Sequence, residues 1–142
     1  MDIVETLKSA LIFSELSRRD LTRFAQTARV RTYRPGSVIV KEGDKAVACF
    51  IISTGKVEVV KGADTEREAV LATLGAGDFF GEMAVITPHP RNATVRAIEE
   101  TECVVVRHID FRAELRSHPE VAVKMLPVLV GRLREAEARP TE

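Results

Sequence analysis

A chain of 142 residues has the usual size of one compact domain, and 45% hydrophobic with 30% charged residues excludes a disordered composition. Lys plus Arg and Asp plus Glu are 21 each, so no net charge draws the chain toward nucleic acid or anionic lipid, and any anion site must be local. Two cysteines, Cys49 and Cys103, are too few for a four-ligand zinc or iron–sulfur site, lie in apolar runs, and read as buried reduced thiols.

The first segment, Ile3 to Phe13, carries Ile3, Val4, Leu7, Ala10 and Leu11 at helical spacing, and Ser17 reads as the N-cap of a helix through Leu21, Phe24 and Ala25. Asp2, Glu5 and Lys8 interrupt the stretch where a signal peptide would be apolar. No run reaches the roughly 18 apolar residues of a membrane span, so a cytoplasmic chain with no membrane partner is expected. Arg18, Arg19, Arg23, Arg29, Arg31 and Arg34 crowd this region and read as solvated edges without function.

From Tyr33 the period turns strand-like, with runs at Ser37 to Val40, Val47 to Ile52, Lys56 to Val60, Ala69 to Leu74, Thr94 to Ala97 and Glu102 to Arg107 separated by glycines. Alternation places Val57 and Val59 on an inner face. Helical spacing returns after Asp110, read as the N-cap for Phe111 to Arg116. His118-Pro119 interrupts, and a longer helix runs from Glu120 to about Ala138 on a stripe of Val121, Met125, Val128, Leu129, Leu133 and Ala136. Pro127 lies inside that stripe and predicts a kink or a restart. The fold class is mainly β with flanking α: an antiparallel β-roll or jelly-roll barrel over 33–108, N-terminal helices over 1–32 and C-terminal helices over 109–138, in a single domain 1–142.

The chemistry concentrates between Gly77 and Ala97. Gly81 removes a side chain where backbone must come close to something, and Glu82 to Ile86 form one helical turn with free N–H groups for an anion. Arg91 adds a charged fork matched to phosphate oxygens. A carboxylate beside such an anion serves a different group, and a sugar hydroxyl is the natural donor to Glu82. The pair fits a phosphorylated sugar. His89, flanked by prolines, reads as an exposed loop tip.

This stretch resembles the phosphate-binding cassette of the cyclic nucleotide-binding domain family, shared by catabolite-activator-type regulators, cyclic nucleotide-dependent kinases and cyclic nucleotide-gated channels. The resemblance rests on Phe80-Gly81-Glu82, the apolar turn Met83 to Ile86, the step from Glu82 to Arg91, and Pro90 to Val95. It extends to Arg34 to Ile39, Lys41 to Asp44 and Phe50 to Val57. It implies a cassette over 79–95 in which Arg91 grips the phosphate, Glu82 takes the ribose 2′-hydroxyl, and the backbone of Gly81, Met83, Ala84, Asn92 and Ala93 completes the cradle. Val70, Leu71 and Ala72 would lie beside the base, and Leu129, Arg132 and Leu133 of the C-terminal helix would close over it. Position 92 is Asn where the family commonly has a small or hydroxyl residue, and a Thr there accompanies cyclic GMP, so cyclic AMP is favoured over cyclic GMP.

A cupin-like metal enzyme is the competing class. It needs clustered ligands, whereas His89, His108 and His118 are the only histidines and none is in a strand-paired pattern; Glu82 has no partner nucleophile. No catalytic residue, metal or cofactor is therefore expected. The chain as it stands carries no recognition helix after its long helix, so nucleic acid is not expected as a partner. The reading is a ligand-responsive regulatory module acting on a partner protein or a second copy through the C-terminal helix. The alternative is a piece of a larger transcription factor, kinase or channel.

Overall fold

The computed structural model describes residues 2–138. Two short helical pieces open it, α1 (Ile3–Lys8) and a 3-10 turn (Leu11–Phe13), followed by α2 (Arg18–Thr27). Asp2 caps α1 by accepting from the Val4 N–H at 2.9 Å, and the Ser17 hydroxyl accepts from the Asp20 N–H at 3.1 Å as the sequence predicts. Ten strands follow: β1 (Arg29–Tyr33), β2 (Val38–Val40), β3 (Lys45–Ala46), β4 (Ala48–Thr54), β5 (Lys56–Lys61), β6 (Ala69–Gly75), β7 (Phe79–Phe80), β8 (His89–Pro90), β9 (Thr94–Ala97) and β10 (Thr101–Arg107). The helix α3 (Glu82–Ile86) sits between β7 and β8, and α4 (His108–Ser117) and α5 (Pro119–Ala138) close the described chain.

All strand pairs are antiparallel, in sheets ordered β1-β10-β4-β7 and β2-β9-β5-β6, with β3 and β8 as a separate pair. The fold is the mainly β roll with helices at both ends that the sequence predicts, built from two open four-stranded sheets rather than one closed barrel. Strands β4 and β10 are buried on both faces. Cys49, Ile51, Val104 and Val106 pack under the helices with Leu7, Phe13, Phe24 and Phe111, while Phe50, Ile52, Cys103 and Val105 face the second sheet with Val57 and Val95. This two-sided burial is why Ala48 to Ile52 reads as a continuous apolar run, whereas Val47 before it is exposed. The helical side is consolidated by aromatic contacts, Phe13 to Phe24 at 5.1 Å and Phe24 to Phe111 at 5.7 Å between ring centroids. Val57 is fully buried as expected and Val59 packs half-buried beside it, at a bulge before the equally buried Val60.

Four local expectations change. Residues Arg29–Tyr33, assigned mostly to the N-terminal helices, form β1, because their backbone pairs with Thr101 to Val105 of β10 while their side chains stay largely in solvent. Helix α4 begins at His108, so Asp110 is not its cap; it lies in the first turn, where a negative charge suits the helix dipole, and accepts from Arg107 Nε at 2.8 Å. Pro127 does not restart α5, which runs unbroken; the carbonyl that loses its donor belongs to solvent-exposed Val123, where water can replace the bond. The arginine crowd is partly consumed internally, Arg18 by Asp2 and Glu5 and Arg23 by Asp20 and Glu114.

Helix α2 also fixes the C-terminal helices. Buried Asp20 accepts from Arg23 Nη2 and from Lys124 Nζ of α5, each at 2.6 Å, while Arg23 Nε donates to Glu114 of α4 at 2.5 Å. Burial alone would raise the Asp20 pKa, but the bonds from Lys124, Arg23 and Ser17 outweigh it and hold the carboxyl down at about 2. A depressed pKa means that the contribution is complete above the ordinary aspartate value near 3.8 and is lost as the pH falls through about 2. Asp20→Asn should therefore destabilise the protein by about 1–3 kcal/mol at neutral pH. Urea melts of the two proteins from pH 7 downward should converge as the wild-type carboxyl protonates.

Candidate functional site

Strand β7 hangs the site on the core. Phe80 pairs with Phe50 of β4, and their rings stack at 4.9 Å. Gly81 then turns the chain with a left-handed φ of +73° and opens α3. A Cβ at Gly81 would lie 2.6 Å from the Ala48 carbonyl oxygen and inside the contact distance of the Arg91 guanidinium, so both the φ and the space require glycine.

Arg91 is half-buried. Its Nη2 donates to the Ala48 carbonyl at 3.2 Å, and its guanidinium carbon lies 5.6 Å from the centre of the Phe50 ring. Burial lowers its pKa below the ordinary arginine value, and no carboxylate among the described residues pairs with it. The other partly buried guanidiniums are matched: Arg23 by Asp20 and Glu114, Arg96 by Glu58 and Glu68, Arg132 by Glu82. The Arg91 backbone is clamped, its N–H donating to the Asp44 carbonyl at 2.7 Å and its carbonyl accepting from the Gly43 N–H at 2.9 Å. That is the work of the Lys41 to Asp44 turn.

Glu82 keeps only 5% exposure. Its Oε2 accepts from the Ile12 N–H at 2.9 Å and its Oε1 pairs with Arg132 Nη1 of α5. A cavity of about 320 Å³ brings together Gly81, Glu82, Met83, Asn92 and Arg132 with Phe79, Phe80 and His89. A neighbouring cavity of about 490 Å³ holds Leu129, Arg132 and Leu133 opposite Met83 and Ile86. Ala84 is fully buried within α3 and Ala93 is half-buried beside Asn92. The Asn92 side chain is exposed, and the residue's backbone carbonyl accepts from Lys61 Nζ at 2.8 Å.

Three expected neighbours stand apart. Val70, Leu71 and Ala72 lie on β6, the edge of the second sheet, exposed and outside both cavities. Arg91 also lies outside the lining of the Glu82 cavity, turned toward the roll interior, with Gly81 between them. His89 is not an exposed tip: it pairs with Ala46 in the β3–β8 ladder, is half-buried and lines the cavity. The flanking prolines favour extended backbone and were the available signal. Ile12, Phe50 and His108 are not among the site residues that the sequence predicts. Ile12 contributes only its backbone and Phe50 reads as core, while the His108 Nδ1 lies 2.7 Å from the Val85 carbonyl and ties α3 to α4.

The family model described as the cyclic nucleotide-binding domain matches residues 30–118. A cyclic AMP receptor protein of Thermus thermophilus is 31% identical over 131 residues, 92% of this chain and 61% of the relative. A cGMP-dependent protein kinase of Drosophila melanogaster is 33% identical over 118 residues, 81% of this chain and 13% of the kinase. The N-terminal domain of a transcriptional regulator from Streptomyces coelicolor superposes with a TM-score of 0.86 at 27% identity, covering 93% of this chain and 92% of that one. The chain spans between 29% and 61% of the length of the first curated relatives it matches. Among the described residues there is no grouping that would hold a metal ion and no helix long and apolar enough to cross a membrane.

Gly81→Ala should cost about 1–3 kcal/mol, since it combines a positive φ with a backbone clash. Hydrogen exchange on that variant should show lost protection at the Ala48 end of β4 and across Gly81 to Arg91.

Proposed function

The chain belongs to the cyclic nucleotide-binding domain family, and from that premise we propose that it binds a cyclic nucleoside monophosphate at the 79–95 cassette and relays occupancy through α5. The family is a regulatory binding domain rather than an enzyme class. The observation that carries the reading is Arg91, the one partly buried guanidinium described above that has no carboxylate to match it. A charge held half out of water by a clamped backbone, over an aromatic ring, is poised for an anion brought by a ligand. Gly81, Met83, Ala84, Asn92 and Ala93 supply the cradle backbone, and Glu82 is the acceptor for the ribose hydroxyl. The exposed apolar segment Val70 to Ala72 is proposed to offer a surface to the base, and Leu129, Leu133 and Arg132 of α5, which lie against the cassette and apart from that segment, to close over the ligand.

Asn92 offers no hydroxyl to a guanine amino group, which supports cyclic AMP over cyclic GMP. Calorimetric titration with cyclic AMP, cyclic GMP and cyclic CMP should give the tightest binding with cyclic AMP. Arg91→Ala should weaken it roughly 10²- to 10⁴-fold with the fold retained, as expected for two lost charge-assisted hydrogen bonds. Unchanged affinity in a folded variant would falsify the assignment.

For the output, a second copy of the chain is the proposed partner. Val123, Leu126 and Val130 form an exposed row on α5, and their spacing of three and then four residues is that of a two-helix seam. Leu126→Glu combined with Val130→Glu should shift sedimentation from dimer to monomer while leaving the melting temperature of the monomer domain close to wild type.

A further inference from the structure

Resting on the ligand reading above, two neighbouring carbonyls of the cassette lead one step further. The Arg91 carbonyl accepts from the Gly43 N–H at 2.9 Å, and the next one along, that of Asn92, accepts from Lys61 Nζ at 2.8 Å. Both donors belong to one cluster. Lys61 Nζ lies 3.3 Å from Glu42 Oε2, the other Glu42 oxygen accepts from the Gly62 N–H at 3.0 Å, and the Glu42 N–H donates to the Thr94 hydroxyl at 3.0 Å. Across a trans peptide the C=O and the N–H point in opposite directions, so consecutive carbonyls drawn toward one cluster leave the N–H groups of their peptides on the other side. Those are the N–H groups of Asn92 and Ala93, and neither is a donor in the turn and loop bonds of the described residues. Adjacent N–H groups aimed the same way form a concavity for an anion.

We propose that Lys61 is a positioning residue of the anion site: anchored by Glu42, its ammonium holds the Asn92 carbonyl so that the Ala93 N–H joins the Asn92 N–H on the phosphate of the ligand. Gly43 orients the first peptide through backbone alone. The second depends on a side chain that reaches across from the last residue of β5. Strand β5 pairs on one side with β9, which follows the cassette, and on the other with β6, where Lys61 stands opposite Ala69. Lys61 therefore ties the phosphate cradle to the strand pair that carries Val70 to Ala72.

The effect belongs on the ligand rather than on the fold. An exposed ion pair contributes little to stability, and more than half of the Lys61 side chain is in solvent. Without its ammonium the Asn92–Ala93 peptide is free to rotate, and the phosphate meets one fixed N–H where there were two. Two other roles for the lysine give different signatures. A charge acting at long range would weaken every contact with the phosphate alike, and a purely structural contact would lower the melting temperature. A lost N–H contact is felt at one phosphate oxygen.

Calorimetry with cyclic AMP and its two phosphorothioate diastereomers, each with one exocyclic oxygen replaced by sulfur, tests this on the wild type and Lys61→Met, with Lys61→Ala in its place if methionine lowers the melting temperature. Lys61→Met should bind cyclic AMP about three- to tenfold more weakly, the scale of one lost hydrogen bond. Lys61→Arg keeps the charge and a donor and should stay within about twofold of the wild type. Lys56→Met, the same change of charge at the exposed start of β5, should bind as the wild type does. Sulfur accepts hydrogen bonds more weakly than oxygen, so each diastereomer should bind the wild type less well than cyclic AMP; in Lys61→Met that penalty should shrink for one diastereomer and persist for the other. Wild-type affinity in Lys61→Met, an equal loss in Lys56→Met, or a loss with both sulfur penalties unchanged overturns this inference alone. A wild type that binds no cyclic nucleotide overturns the ligand reading and this inference together.

Discussion

Strand β4 is covered on both faces, by the helices on one side and the second sheet on the other, and the position of the site follows from that constraint. A strand buried on both sides has no freedom to shift register, since a slip of one residue would exchange the residues packed under the helices with those facing the roll. Three contacts tie the cassette to it. Phe80 pairs with Phe50, the Arg91 guanidinium donates to Ala48, and Gly81 is squeezed against the same carbonyl. The cassette is irregular in backbone but its anchor points are not.

Against that frame of apolar contacts, charge is distributed with a clear asymmetry. The helical side spends its charges on itself, with Asp20 joining α2 to α5 and Glu114 joining α2 to α4. The cassette side keeps one guanidinium unmatched, and its carboxylate Glu82 pairs with Arg132 on the second half of α5. The first half of α5 stays bound to α2.

The long alternating and continuous apolar runs made the major strands legible, and the cassette stood out because glycine, carboxylate and arginine are costly to place together without a use. What was not legible depended on backbone and on distance along the chain. Nothing in the side chain of Ile12 announces that its N–H caps a carboxylate 70 positions away. Strand β1 was hidden because it lies at a sheet edge with charged side chains in solvent, so its pairing leaves no apolar alternation. His89 was misplaced because proline on both sides marks a loop as readily as a short bridge. The arrangement of Leu129, Arg132 and Leu133 on α5 depends on helix register, which tertiary packing at Val121 and Met125 decides.

The two cysteines lie on opposite sides of the doubly buried sheet. Cys49 packs among the helices and Cys103 in the space between the sheets, and burial pushes each thiol up to about 12. At neutral pH neither presents a thiolate, so each reacts with an alkylating reagent only when its own layer opens. The molecule thus contains a pair of intrinsic probes: labelling at Cys49 times the detachment of the helical layer, and labelling at Cys103 times the parting of the sheets.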